Sequence, residues 1–376
     1  MKRRLLLLFL LAGVLLFAAC GGQAEELVEA PPEELVEVTP EPQEEEAPRL
    51  QVITSIFPQY DFIRRIAGDR VDRTMLLSPG AEAHSFEPTP QDIIRLQEAD
   101  LFIYVGGHSE RWVETILESV LEEHEMYVVA MLDLVEALEA YHDHDHDHDH
   151  AHSHDHDHSH DHDHSHSHDE DHSHDHDYDD HSHDHDDDDH HDDHHHDHDE
   201  MEFDEHVWTS PRNAIQIVEE LTEILAELDE ANAEYFRMNA VAFIAELEEL
   251  DAAFTEVVEQ AVRRTIVFGD RFPFRYLAHA YGLHYYAAFP GCSTETQASP
   301  QTVAQLIQTV RDQEIPVVFF IEFSNQQMAR VIAEDTGAGM LELHSTHNLS
   351  HADFDAGIGY LDLMWRNVAH LEVALS

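Results

Sequence analysis

From His142 to Asp199 the chain is almost wholly histidine and aspartate, with 26 of the first, 23 of the second and no lysine or arginine. Such a segment has almost no apolar surface to bury, so nothing offsets the entropy of ordering it. The fold must therefore come from the sequence on either side, and the tract, placed at 142–200, must leave and re-enter from the surface. It reads as a solvated arm inserted into a folded body. Neutral imidazole is a common ligand for late first-row divalent metals. The repeat that opens with His142, His144, His146, His148 and His150 is thus an accessory metal-collecting arm for weakly held ions. The plainer alternative is an expanded acidic spacer.

The N-terminus carries a targeting segment, placed at residues 1–20. Lys2, Arg3 and Arg4 precede an apolar run from Leu5 to Ala18 that is short for a membrane span. Phe17-Ala18-Ala19-Cys20 resembles the lipobox of bacterial lipoproteins, which implies lipidation at Cys20. The expected location is extracytoplasmic, anchored by lipid to the bacterial cell membrane. Residues 21–49, rich in Glu and Pro, read as a self-repelling tether. With Cys20 lipidated, Cys292 has no intrachain partner. Stability then rests on the core. A formal charge of −61 argues against nucleic acid and suits attraction of cations.

The rest alternates short apolar runs with amphipathic stretches, which predicts parallel α/β packing. Strands are expected at 51–56, 74–77, 101–105 and 127–131, then at 265–268, 284–289, 316–321 and 340–343. Helices are expected at 57–67, from Thr89, at 211–228, 274–281, 300–313, 325–335 and 354–375. A pattern with apolar residues three and four apart runs through 230–262 without Pro or Gly. As one helix it would span about 45 Å. The expected architecture is an N-terminal α/β lobe over 50–229 that carries the arm, a linking helix over 230–262, and a second α/β lobe over 263–376. A metal cleft lies between the lobes.

Three histidines outside the arm fall where strands give way to loops, the binding edge of open α/β sheets: His84, His206 and His344. The segments Pro79 to Pro88 and Asp204 to Asn213 resemble the two histidine motifs of the zinc- and manganese-binding lipoproteins that serve ABC importers. The long middle helix and a His-rich insertion before the second motif resemble the zinc branch of that family. The resemblance covers about residues 50–376. It implies four ligand loops, two per lobe, with His84 and His206 as the first two ligands. The third position, usually histidine or glutamate, holds Gly269 here, so Asp270 is the substitute candidate. The fourth is His344, with His347 as its alternative. Glu322 would support the ligands from behind.

The resemblance implies capture of one zinc ion and its delivery to the permease and ATPase subunits of an ABC importer. The chain would act as a monomer and not as an enzyme. Imidazole ligands favour zinc over manganese. The alternatives are a manganese-binding member of the family, a surface zinc buffer or adhesin without transport, and a zinc-dependent hydrolase. The last lacks HExxH or any other metalloenzyme signature.

Overall fold

The computed structural model describes residues 48–82, 86–121, 125–139, 203–289 and 298–376. The signal segment with Cys20, the tether to residue 47, His84, Cys292 and the His/Asp arm lie outside the described residues.

Strands β1 (Gln51–Thr54), β2 (Asp72–Met75), β3 (Leu101–Tyr104) and β4 (Tyr127–Ala130) form one parallel sheet in the order β2-β1-β3-β4. Val52, Ile53, Leu101, Phe102 and Ile103 are all buried. The runs are apolar without alternation because helices cover both faces. These helices include α1 (Phe57–Ala67), α2 (Pro90–Gln97) and α3 (Trp112–Leu121). Thr89 caps α2 through a reciprocal pair with Asp92.

Next come α4 (Pro211–Leu228) and the long α5 (Ala233–Gln260). The second sheet contains β5 (Thr265–Arg271), β6 (His284–Phe289), β7 (Val317–Phe320) and β8 (Gly339–Glu342), also parallel, in the order β6-β5-β7-β8. Its helices are α6 (Arg275–Tyr281), α7 (Pro300–Asp312), α8 (Gln327–Thr336), α9 (His351–Asp355) and α10 (Tyr360–Leu375). Both sheets thus share one strand order. In each, the chain reverses direction across the sheet between the first and third strands, and ligand crevices form at such switch points.

Helix α5 buries Phe236, Ala240, Phe243, Leu247, Leu250, Phe254 and Val258, a single stripe at spacings of three and four. It packs on α1 and α4 on one side and on α10 and α6 on the other. One core cluster consequently runs through both lobes, from Phe62 and Ile103 by way of Phe254 to Phe268 and Leu371. Asp61 on α1 adds a polar link: its carboxylate accepts the backbone N–H of Tyr360 at 2.8 Å, capping a helix of the other lobe.

Two local expectations change. Helix α3 is not among the expected elements, although Val113, Ile116, Leu117 and Val120 form an apolar stripe packed on the core of the first sheet. The segment expected as one final helix is two, broken at Gly357, which takes φ +75°, a conformation that glycine adopts without cost.

Leu247 is fully buried in mid-α5, whereas Val241 on the same helix is 70% exposed. Leu247→Ala should cost about 2–5 kcal/mol in denaturant unfolding, and Val241→Ala less than about 0.5 kcal/mol. Because the core is continuous, both should keep a single transition; separate transitions for the lobes would contradict that continuity.

Candidate metal centre

His206 sits in a buried segment, Asp204 to Ser210, that enters α4 through the short 3-10 turn Val207–Thr209. The Asp204 Oδ1 accepts the His206 backbone N–H at 3.0 Å and lies 3.1 Å from the His206 Nδ1. Burial alone would raise the Asp204 pKa; the His206 ring and N–H, together with Arg275, outweigh it and hold the carboxyl below its ordinary value. An ionised carboxylate is an acceptor only, so the His206 Nδ1 is the donor. A metal-ligating histidine held at Nδ1 in this way coordinates through Nε2.

Trp208 lies two residues on and is fully buried. Its indole N–H donates to the Ser345 carbonyl of the second lobe at 2.8 Å, and its own carbonyl accepts the Tyr360 hydroxyl at 2.7 Å. Burial pushes the Tyr360 phenol up, keeping it a donor. The Trp208 ring stands 5.5 Å from His206 and 5.0 Å from His347. The two imidazoles are 5.7 Å apart, edge to face. With Zn–N bonds of about 2.0–2.1 Å, one ion could reach a nitrogen of each.

The residues from Ser345 to Leu349 are stitched to the first lobe. Phe57 donates its N–H to the His347 carbonyl at 3.3 Å, and Gly80 to the Leu349 carbonyl at 2.8 Å. The Asn348 amide donates to the carbonyls of Ser78 and Ala81, each at 2.9 Å. Asn348 therefore fixes the approach to the loop of His84. Glu82 in that loop lines the cavity that His206 and His347 share, and it pairs with Arg271 across the lobes at 3.3 Å. Among the described residues no three His, Cys, Asp or Glu side chains form a group that could hold a metal.

The remaining candidates divide. Glu322, just past β7, lines the shared cavity; its carboxylate accepts the Ser345 N–H at 2.8 Å and the Ser345 hydroxyl. His344 is buried outside that lining. Its Nδ1 accepts the Thr346 N–H at 3.0 Å, and its backbone is held at both ends by Asn367. Asp270 also lies outside the lining: one oxygen accepts the Arg271 N–H, and the other is buried without a hydrogen-bond partner. At Gly269 an added Cβ would fall 2.2 Å from the Cα of Ala329. There β5 and α8 touch backbone to backbone, which leaves no room for a side chain.

A second crevice lies at the switch point of the first sheet, lined by Ser55, Val105, Ser109, Glu110, Glu205 and Trp208, and His347 lines both this crevice and the first cavity. Glu110 accepts the N–H groups of Val105 at 2.6 Å and Gly106 at 3.3 Å. Burial pushes its carboxyl up to about 7. Glu205 accepts the backbone N–H of Ser109 at 2.7 Å and its hydroxyl. The sequence flagged neither carboxylate, nor Asn367: Glu205 stands inside the His206 motif but its tie to Ser109 is a tertiary contact, and Glu110 and Asn367 stand in no motif.

Two predictions follow from this geometry. Gly269→His should destabilise the fold without tightening zinc binding; a tighter site in titration would contradict the α8 contact. Glu110 holds its proton longer folded than unfolded, so its contribution to stability falls as pH rises from 4.5 through about 7. Glu110→Gln should therefore gain on the parent across that window, by up to about 3 kcal/mol, and match it at lower pH. Thermal unfolding of the pair, whose arms titrate identically, measures the difference.

Residues 52–374 match the family model described as ZnuA, zinc-uptake complex component A, periplasmic. The chain is 28% identical over 371 residues to the high-affinity zinc uptake system protein ZnuA of Bacillus subtilis, covering 98% of this chain and 97% of that one. It is 27% identical over 329 residues to the zinc-binding lipoprotein AdcA of Streptococcus pneumoniae, covering 86% of this chain but 55% of AdcA, so it spans about half of that relative. The Zn(II)-bound ZnuA-like domain of AdcA superposes with a TM-score of 0.63 at 24% identity, over 87% of this chain and 99% of the domain, a likeness of fold. The two parallel sheets, the helix between them and the match along nearly the whole folded length place this chain in the ZnuA family of zinc-uptake proteins.

Proposed function

We propose that this protein captures one zinc ion between its lobes and delivers it to the permease of an ABC importer driven by its ATPase. As a family member the chain is a solute-binding component of zinc uptake, not an enzyme. The observation that carries the site is the His206–His347 pair across the lobe boundary, with the Asp204 carboxylate fixing the His206 ring. His84, from the loop that Asn348 holds, would supply a third imidazole, and Glu322 or water the fourth position. Three neutral imidazoles suit zinc better than manganese, which prefers carboxylate and carbonyl oxygen.

The continuous core and the α5 strut oppose wide opening of the lobes. Release would run through the loops at Glu82, Phe323 and His347. The arm has its root beside the site: Glu139 and Phe203 pair as an antiparallel bridge, three residues from His206. From there it would collect zinc and feed the cleft. Cys20 would tether the assembly to the membrane.

Competitive metal titration tests the cleft, using the folded body with residues 142–200 replaced by a short linker. One tight zinc site is expected, indifferent to manganese. Asp204→Asn should weaken it by roughly 10–100-fold, the usual cost of losing a partner behind a ligand. His84→Ala and His206→Ala should abolish it. A tight site that survives both histidine substitutions, or that vanishes with the arm, would overturn the proposal.

A further inference from the structure

We infer that His344 is not a zinc ligand but a positioning residue: it latches Thr346 in the left-handed turn that presents His347 to the cleft. The inference rests on the cleft being the zinc site and assigns which imidazole of the fourth loop serves it.

The tautomer is the first observation. The His344 Nδ1 receives the Thr346 N–H at 3.0 Å, so that nitrogen carries the lone pair. A neutral imidazole that accepts at Nδ1 bears its proton on Nε2. Neither nitrogen is then available to a metal. His206 has the opposite arrangement, with Nδ1 facing the Asp204 carboxylate, the hold that directs a histidine to bind metal through Nε2. The Glu322 oxygen 3.7 Å from the His344 Nδ1 is beyond hydrogen-bond range and does not compete.

The second observation is the backbone. Thr346 is fully buried with φ +59°. A β-branched residue in this region is a real outlier and persists only when its surroundings hold it. The surroundings do so completely. Glu322 takes the N–H and hydroxyl of Ser345, and the Trp208 indole and Thr346 hydroxyl both donate to the Ser345 carbonyl. The Ser345 hydroxyl oxygen accepts the His347 N–H at 3.2 Å. Asn367 clamps the backbone of His344. The His344 ring supplies the one acceptor for the Thr346 N–H. Without it that buried donor is orphaned, which favours relaxation of the turn. His347, the imidazole of this turn that lines the cavity, would turn away with it.

The bond from the Thr346 N–H to the side chain two residues earlier has the form of an Asx turn, which asparagine makes readily. This supplies the test, made on the full chain with a chelator strong enough to empty the arm. H344N should keep near-parental zinc affinity, and its cobalt(II)-loaded form the parental ligand-field spectrum. H344L, which offers no acceptor, should lose about 10–100-fold. T346G adopts the left-handed turn freely, so in that background the H344L loss should shrink to a few-fold. H347A should abolish the tight site. If H344N loses the site as fully as H347A, or T346G brings no relief, His344 is a ligand and the inference is overturned. If H206A and H347A both leave tight binding intact, the cleft reading itself falls, and this inference with it. H344N and T346G keep the test decisive should H344L fail to fold.

Discussion

The hydrogen bond from the Trp208 indole to the Ser345 carbonyl holds the binding centre together. It joins the loop of His206 in the first lobe to the turn of His347 in the second. The same residue lines the crevice of the first lobe and receives the Tyr360 hydroxyl at its own carbonyl. A buried indole must find an acceptor, and here the acceptor belongs to the other lobe. Neither imidazole can shift far without breaking that bond or the contacts of the fully buried ring.

Around this point the fold repeats itself. Two sheets share one strand order, and residues 345–349 join the second lobe to the first with backbone bonds to Phe57 and Gly80. Helix α5 and the shared core hold the lobes at fixed separation. The left-handed residues Phe323, Gln326 and Thr346 all lie in second-lobe loops. Strain of this kind, about 1–3 kcal/mol per residue, is what a binding loop can exchange for a ligand.

Much of this was legible in the sequence. Buried parallel strands announce themselves as apolar runs, and the α5 stripe needs only its spacing. His206 stood out because Asp204 and Trp208 share its motif, and the structure gives each a physical task. The choice between His344 and His347 was not legible. They lie three residues apart in one loop, and what distinguishes them is the Thr346 N–H held on the His344 Nδ1 and the place of His347 in the cavity lining. At Gly269 the contact with Ala329 that excludes a side chain belongs to packing of distant sequence. The buried, unpartnered oxygen of Asp270 was likewise not visible in the sequence. The cross-lobe roles of Asn348 and Asn367 follow from tertiary placement alone.

The most direct measurement is a crystal structure of the zinc-loaded protein with anomalous data collected across the zinc edge. The account predicts one strong peak in the cleft, bonded to Nε2 of His206 and to the rings of His347 and His84, with His344 still accepting the Thr346 N–H. A peak bonded to His344, or strong density confined to the arm with the cleft empty, would contradict it.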